Sequence, residues 1–158
     1  METFAEKHIR SLNWEALSRN PALTPAFIEK YKHKLNWKIL PSNPALTAPL
    51  IRKYKGKKFY LGWASANPSL TFSLIEDNKD KLDWDRLARN PALSPLFIEA
   101  HKEKLDWNIL SANPALTPSL IEKYNHLWDW GTLSSNPALI PALMEKYEKN
   151  LDFEELSM

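Results

Sequence analysis

The sequence predicts an all-α fold, a right-handed-type α-solenoid of short helix–turn–helix repeats of about 23 residues, with roughly seven helix pairs. Three observations predict it. An Asn-Pro dipeptide recurs at near-constant spacing, each interval holds two helix starts, and compact side chains flank every Asn of the dipeptide. These asparagines are Asn20, Asn43, Asn67, Asn90, Asn113 and Asn136, at spacings of 23, 24, 23, 23 and 23 residues.

This spacing leaves no room for a linker, so we predict a single repeat domain over residues 1–158. A half-repeat cap is expected at 1–12, six repeats at 13–150, and a second half-repeat cap at 151–158. Repeats of this kind contact mainly their neighbours, and terminal copies tend to differ from internal ones.

Both ends have such differences. Near the N-terminus, Ala5 and His8 replace the Ile and Tyr of later copies, which gives a milder outer face suited to a cap. At the C-terminus, Phe153 stands in place of Trp. Asp152 and Glu155 have the spacing of a capping box, which predicts a helix start there.

The copy around Asn113 illustrates the two helix starts. Asp106 is placed to cap a short helix that begins at Trp107, and the helix should end before Pro114. Thr117-Pro118 then starts the longer helix, with Thr as N-cap and Pro at the first position. Four apolar residues of this segment fall on one helical face: Leu120, Ile121, Tyr124 and Trp128.

A leucine-rich repeat has a similar period, but its alternation is missing. Its strand needs an inward apolar residue five positions before the Asn. This chain has polar residues or glycine there: Glu15, Lys38, Gly62, Asp85, Asn108 and Gly131. Helix pairs fit better, and small residues two positions before each Asn would let neighbouring helices approach. Those residues are Ser18, Pro41, Ser65, Ala88, Ser111 and Ser134.

The composition is that of a soluble folded protein, with 44% apolar and 25% charged residues. There is no cysteine, which excludes disulfides and thiolate metal sites and favours an intracellular location. The N-terminal METFAEKHIR lacks the apolar run of a secretory signal, and no stretch approaches the roughly 18 apolar residues of a membrane span. We expect neither secretion nor a membrane partner.

Three residue types could carry chemistry, and a structural role explains each better. The tryptophans could stack on bases, but a Leu three positions later makes them typical of inter-repeat core; they are Trp14, Trp37, Trp84, Trp107 and Trp130. Each Asn of the dipeptide is expected to be buried, closing its helix and bonding the backbone of the next repeat. His8 and His101 occupy the Tyr position, and none of the 4 histidines has a partner at a metal-ligand spacing.

Catalytic signatures are missing from the sequence. It contains no nucleophile elbow, phosphate-binding loop or paired acidic motif, and only 3 glycines. We therefore expect no enzyme activity, no cofactor and no metal site.

Positive charge is concentrated between residues 30 and 58, where there are nine basic residues and no acidic one, although the whole chain has a net charge of +2. Cations near helix C-termini also stabilise the helix dipole, so a solvated face is one reading. The other is a basic patch for phosphates or for an acidic protein surface. The candidate macromolecule-binding residues are Lys30, Lys32, Lys34, Lys38, Arg52, Lys53, Lys55, Lys57 and Lys58.

The segment RKYKGKKFYLGW, residues 52–63, interrupts the repeat. The spacing of 24 adds one residue, which we expect Gly56 to absorb at the end of the longer helix. Leu61 then takes the Trp position, with Trp63 two places later and Ala64 in place of Leu, an exchange of volume. Gly62 is expected to loosen the short helix by about 1 kcal/mol. We predict a repeat that still folds, with a shifted local twist.

The unit L-D-W-x-x-L-S-x-N-P-A-L-T-P-x-L-I-E-K-Y-K-x-K-L, as in Leu105–Tyr124, resembles tandem repeats in proteins of large DNA viruses of amoebae. Those proteins carry W-x-x-L/I-S-x-N-P-x-L/I-T units followed by a charged helix. The resemblance covers essentially the whole chain. It implies a viral origin and an intracellular setting, and it brings no catalytic residues.

We therefore expect a non-enzymatic scaffold that binds another macromolecule, first of all a protein, and a monomer is favoured. The alternative is nucleic-acid binding through the basic stretch 30–58. A third hypothesis is a structural virion or assembly component, in which the basic end of one copy meets the acidic C-terminal end of another. That acidic end holds Asp152, Glu154 and Glu155.

Overall fold

The computed structural model describes residue 8 and residues 11–152, and over these residues the chain is all-helical, which confirms the predicted α-solenoid class of helical repeats. The α-helices are α1 (Trp14–Arg19), α2 (Pro25–Tyr31), α3 (Ala48–Tyr54), α4 (Phe72–Glu76), α5 (Trp84–Ala88), α6 (Pro95–Ala100), α7 (Trp107–Ser111), α8 (Pro118–Lys123), α9 (Trp130–Ser134) and α10 (Pro141–Lys146). The 3-10 helices are Leu40–Ser42, Leu61–Ala64, Lys79–Lys81 and Glu148–Asn150.

The chain divides into two compact units, Met1–Lys81 and Leu82–Met158. In the first unit a short helix precedes a longer one three times: α1 and α2, Leu40–Ser42 and α3, and Leu61–Ala64 and α4. The second unit repeats this arrangement with α5 and α6, α7 and α8, and α9 and α10. The predicted cap residues Ala5, Phe153 and Glu155 lie outside the described residues.

The helices begin at the predicted caps. Oδ1 of Asp106 accepts a hydrogen bond from the backbone N–H of Ile109 at 3.1 Å, and Oγ1 of Thr117 accepts one from the N–H of Leu120 at 3.3 Å. Pro118 occupies the first turn of α8, as predicted. The α-helices have only 5 to 7 residues, whereas an isolated helix needs about 12–15 to be stable. Packing between repeats must therefore hold them.

In the second and third repeats the short helix is a 3-10 helix, which differs from the predicted α-helix. Pro41 lies inside Leu40–Ser42 and has no N–H to donate to the carbonyl four residues earlier. In Leu61–Ala64 the N–H of Trp63 donates to the carbonyl of Tyr60 at 3.1 Å, the i to i+3 pattern. The irregularity expected at Gly62 thus takes the form of a tighter helical turn.

The core is formed by one Leu of the short helix and one Ile of the longer helix in successive repeats. Because both face inward, most have no exposed surface, and Ala64 takes the Leu position in the third repeat. The residues with 0% exposure at these positions are Ile28, Leu40, Ile51, Ala64, Leu87, Ile98, Leu110, Ile121 and Leu133. This is the apolar face that the periodicity predicted.

Four of the asparagines bond to the preceding repeat within their unit, so the predicted bond to the next repeat was wrong; Asn20 is exposed, against the expected burial. Nδ2 of Asn113 donates to the carbonyls of Ala88 at 2.6 Å and of Asn90 at 3.1 Å, while Oδ1 accepts from the N–H of Ala115 at 2.7 Å. The reason is that a short helix leaves its last carbonyls without helical partners. The same bonding is made by Asn43, Asn67 and Asn136.

Buried serines add a second link. Oγ of Ser111 donates to the carbonyl of Trp107 at 2.7 Å and accepts from the N–H of Asp129 at 3.0 Å. Since Asp129 is the N-cap of α9, this hydroxyl fixes where the next short helix starts. Ser18 and Ser134 make equivalent bonds. The small residues thus do more than allow close approach.

Candidate functional site

The nine predicted binding residues lie in the first unit, around the C-termini of two longer helices. Those near the end of α2 are Lys30, Lys32 and Lys34, with Lys38 just before Leu40–Ser42. Those at or beyond the end of α3 are Arg52, Lys53, Lys55, Lys57 and Lys58. Lys32 and Lys55 are half-buried, and the other seven are exposed.

Lys53 already has a partner within the chain. Its Nζ lies 2.7 Å from Oε1 of Glu29, and Oη of Tyr54 donates to Oε2 of the same carboxylate at 2.7 Å. Hydrogen bonds from Lys53 and then Tyr54 lower the pKa of Glu29, and the same bond from Glu29 raises the pKa of Lys53. Burial, followed by the bond to Glu29, raises the pKa of Tyr54. Glu29 thus balances one of the nine positive charges.

The second unit contains the same kind of pair. Nζ of Lys123 lies 2.8 Å from Glu99, and Lys146 pairs with Glu122. Hydrogen bonds to these carboxylates raise the pKa of both lysines. This pairing was not predicted, although a Glu and a Lys 24 residues apart recur in the sequence and carried the signal. Lys53 therefore forms a structural ion pair that recurs between successive longer helices.

Four of the nine cations are exposed and form neither an ion pair nor a cation–π contact with any residue that the structure describes: Lys38, Arg52, Lys57 and Lys58. The turn after α3 fixes two of them, because the N–H groups of Lys57 and Lys58 donate to the carbonyl of Tyr54 at 3.1 and 2.9 Å. Gly56 has φ +71°, a left-handed conformation that glycine adopts without strain. The helix thus ends where predicted, and its turn presents a pair of adjacent lysines.

Trp37, Trp107 and Trp130 link neighbouring repeats, as predicted, and all five predicted tryptophans are half-buried rather than fully enclosed. The ring of Trp37 packs on Tyr54 of its own repeat, with 4.9 Å between centroids, while its Nε1 donates to the carbonyl of Lys32 in the preceding repeat at 2.7 Å. Trp107 is held in the same way by Tyr124 and by the carbonyl of Lys102. The edges of these repeats therefore retain partly exposed aromatic surface.

Lysines lie over these rings. Nζ of Lys34 is 5.8 Å from the ring centroid of Trp14, and Nζ of Lys30 is 5.5 Å from that of Tyr31. Cation–π contacts at exposed sites contribute about 0.5–1 kcal/mol each. Both lysines therefore combine a structural contact with an accessible charge.

The third repeat lacks these rings. Leu61 and Ala64 are buried and Trp63 is half-buried, which agrees with the predicted exchange of volume. Phe59 compensates on one side, since its ring lies parallel to that of Trp37, with 5.9 Å between centroids and 6° between planes. The altered segment is therefore folded. Its solvent-facing side lacks the aromatic pair that the other described repeats have.

No group of three His, Asp or Glu side chains that could hold a metal ion occurs among residues 8 and 11–152. His101 packs between Trp84 and Phe97, with ring centroids 5.5 and 4.5 Å away, the packing role expected for it. None of the helices in the described part of the chain combines the length and the apolar character needed to cross a bilayer.

Comparison with models of protein families, with curated proteins and with solved structures finds no match for this chain.

Proposed function

We propose that this chain is a non-enzymatic repeat scaffold that binds another macromolecule, and that its partner is an intracellular protein with an acidic surface. The observation that carries the proposal is a group of exposed cations in the stretch 30–58 that form neither an ion pair nor a cation–π contact with the described residues: Lys38, Arg52, Lys57 and Lys58. Carboxylates of a partner would form charge-assisted hydrogen bonds with them. Partly exposed Trp and Tyr rings in the same unit add the residue types enriched at interface centres.

The test compares two variants with equal net charge. Lys57→Glu/Lys58→Glu reverses the paired lysines of the turn, and Arg89→Glu/Lys149→Glu reverses two exposed cations of the second unit. We expect a fluorescein-labelled poly-glutamate peptide to bind wild type and the control alike, and the turn variant at least ~10-fold more weakly, a difference of about 1.4 kcal/mol. Equal affinity of all three proteins would overturn the proposal.

Binding of single-stranded nucleic acid through the same cations is the second candidate. The half-buried tryptophans beside lysines favour it, because single strands bind to cationic grooves whose aromatic rings stack on bases. Affinity for a labelled oligonucleotide should then fall steeply with salt, by a slope of about 0.7 per phosphate neutralised. No salt-sensitive binding near ~100 mM salt, together with no effect of Lys53/Lys55/Lys57/Lys58→Glu, would exclude it.

A further inference from the structure

An aromatic pair joins the two helices of five of the six described repeats, and the third repeat lacks it. The pairs are Trp14–Tyr31, Trp37–Tyr54, Trp84–His101, Trp107–Tyr124 and Trp130–Tyr147. At the corresponding positions the third repeat has Leu61 and Asn78. Both rings of the pair are thus replaced by smaller side chains.

A pocket of about 220 Å³ lies against these two residues. Its wall is formed by residues of the first unit: Lys55, Gly56, Phe59, Tyr60, Leu61, Asn78 and Lys81. Ligand pockets for drug-sized molecules measure about 300–1,000 Å³, so this one suits a single side chain better than a cofactor. Phe59 and Leu61 give it an apolar floor, since both are buried.

Two glycines shape the rim. The ring of Tyr60 approaches the backbone of Gly62 so closely that a Cβ atom there would lie 2.4 Å from Cε1 of Tyr60. Tyr60 is 54% exposed, although large apolar rings are usually covered. Gly56 adopts its left-handed conformation in the same wall. Five of the seven described residues that line this pocket therefore belong to the segment 52–63 that interrupts the repeat.

The pocket is also positively charged. Nζ of Lys55 donates to Oδ1 of the buried Asn78 at 2.8 Å, and Nδ2 of Asn78 donates to the carbonyl of Leu74 at 2.8 Å. A lysine ammonium has three N–H donors, so this bond positions Lys55 and leaves two donors for a ligand. Lys81 supplies a second cation, and none of the described residues of the wall is acidic.

A larger groove of about 750 Å³ in the second unit differs from this pocket in its aromatic residues and in its charge. It retains the rings of Trp107 and Tyr124, and Glu103 is part of its wall. Nζ of Lys123 lies 2.8 Å from Glu99, and that of Lys102 lies 3.9 Å from Glu103. Its cations are therefore balanced, and we assign it no ligand.

We propose that the pocket of the third repeat receives an aromatic side chain from a partner protein, in a segment where acidic residues flank that aromatic residue. The inference rests on the proposed function and names the partner's recognition element. The ring replaces the missing aromatic pair over Leu61, and the adjacent carboxylates bind Lys55, Lys81 and the lysines of the turn. Burial of an aromatic ring and charge-assisted hydrogen bonds then act together.

The experiment measures the fluorescence anisotropy of two labelled peptides, Asp-Asp-Phe-Asp-Asp and Asp-Asp-Ala-Asp-Asp. Leu61→Trp/Asn78→Tyr restores the usual pair and fills the pocket. We expect wild type to bind the Phe peptide at least ~10-fold more tightly than the Ala peptide, because burying the ring is worth more than a factor of ten. The refilled variant should bind both peptides with the affinity that wild type has for the Ala peptide.

Equal affinity of wild type for the two peptides, or unchanged Phe preference in the refilled variant, would overturn the pocket. The proposed function would still stand in that case if Lys57→Glu/Lys58→Glu weakens both peptides. Failure of both peptides to bind wild type would overturn the proposed function as well. If the refilled variant does not fold, amide NMR of wild type decides. The signals of Gly56 and the Asn78 side chain should shift with the Phe peptide, and their constancy overturns the pocket.

Discussion

Nδ2 of Asn113 lies 2.6 Å from the carbonyl oxygen of Ala88, 25 residues earlier in the chain. Asn113 is only 1% exposed, so its hydrogen bonds to these carbonyls are buried and water does not replace them readily. The carboxamide thus joins the end of one short helix to the end of the next. Its Nδ2 bonds to the preceding repeat and its Oδ1 to its own repeat, so substitution of Asn113 should lower the stability of both.

Asn113→Ala should lower the free energy of unfolding by about 2–4 kcal/mol, because the carbonyl of Ala88 loses its donor and the N–H of Ala115 loses its acceptor. The carbonyl of Asn90 keeps only the N–H of Leu93. Asn20→Ala is the matched control. Asn20 is exposed and its Oδ1 accepts from the N–H of Ala22 at 2.8 Å, so its loss should cost less than about 1 kcal/mol. Urea unfolding followed by circular dichroism measures both, and equal losses would contradict the role assigned to Asn113.

Ser111→Ala should cost about 1 kcal/mol, since the variant loses a hydroxyl that bonds to Trp107 and to Asp129. Ser135→Ala provides the comparison, because its exposed Oγ only donates to the carbonyl of Thr132. That change should stay within about 0.5 kcal/mol of wild type. A shift of the same size in the urea midpoints of the two variants would rule out the bridging role.

Glu29→Gln tests the pH dependence of the bond between Glu29, Lys53 and Tyr54. The pKa of Glu29 is lowered from its ordinary value of 4.5, so its stabilising contribution is complete above that value and is lost as pH falls through the lowered pKa. Wild type should therefore exceed the variant in stability near neutral pH, and the difference should shrink below about pH 4.

The measurement is the urea midpoint of both proteins between about pH 2 and pH 7. Glu103→Gln is the control, because that side chain is 87% exposed. A Glu29→Gln difference that does not depend on pH would contradict the prediction. The pH dependence of Lys53 runs in the opposite direction. Because its pKa is raised above 10.5, its contribution to stability is complete below that value and is lost as pH rises through the raised pKa.

Gly56→Ala isolates backbone strain. A Cβ at Gly56 would meet no atom within 4 Å, so the only cost is the left-handed conformation at φ +71°, about 1–2 kcal/mol for an L-residue. Gly131→Ala, in the first turn of α9, has no such conformation and should change the free energy of unfolding by less than about 1 kcal/mol. Thermal unfolding would refute this account if Gly56→Ala proved as stable as wild type.

The repeating fold could be predicted because its signals are local. Asp106 and Thr117 cap helices through their own side chains and the next three residues, so spacing alone identifies them. Pro41 also carried a readable signal, since a proline inside a short helix removes a donor and favours the 3-10 form. The 3-10 form of Leu40–Ser42 was nevertheless not predicted.

Features of the surface could not be predicted in the same way, because they depend on which repeats meet. The pairing of Lys53 with Glu29 joins two helices, and it turns one predicted binding residue into a structural one. The direction of the Asn113 bonds follows from where the preceding helix leaves its carbonyls, which spacing does not reveal. The sequence showed the exchange of volume at Leu61. The pocket beside Leu61 could not be predicted, because it depends on where the fold places Asn78.

The direction of the asparagine bonds has a consequence for how the protein is made. The carbonyl of Ala88 receives its donor from Asn113, which is synthesised 25 residues later. At about 5–20 residues per second, that carbonyl is without this donor for about 1–5 s. Within the second unit, Asn113 therefore completes the end of the preceding short helix only after its own repeat has been synthesised, and Asn136 does the same one repeat later.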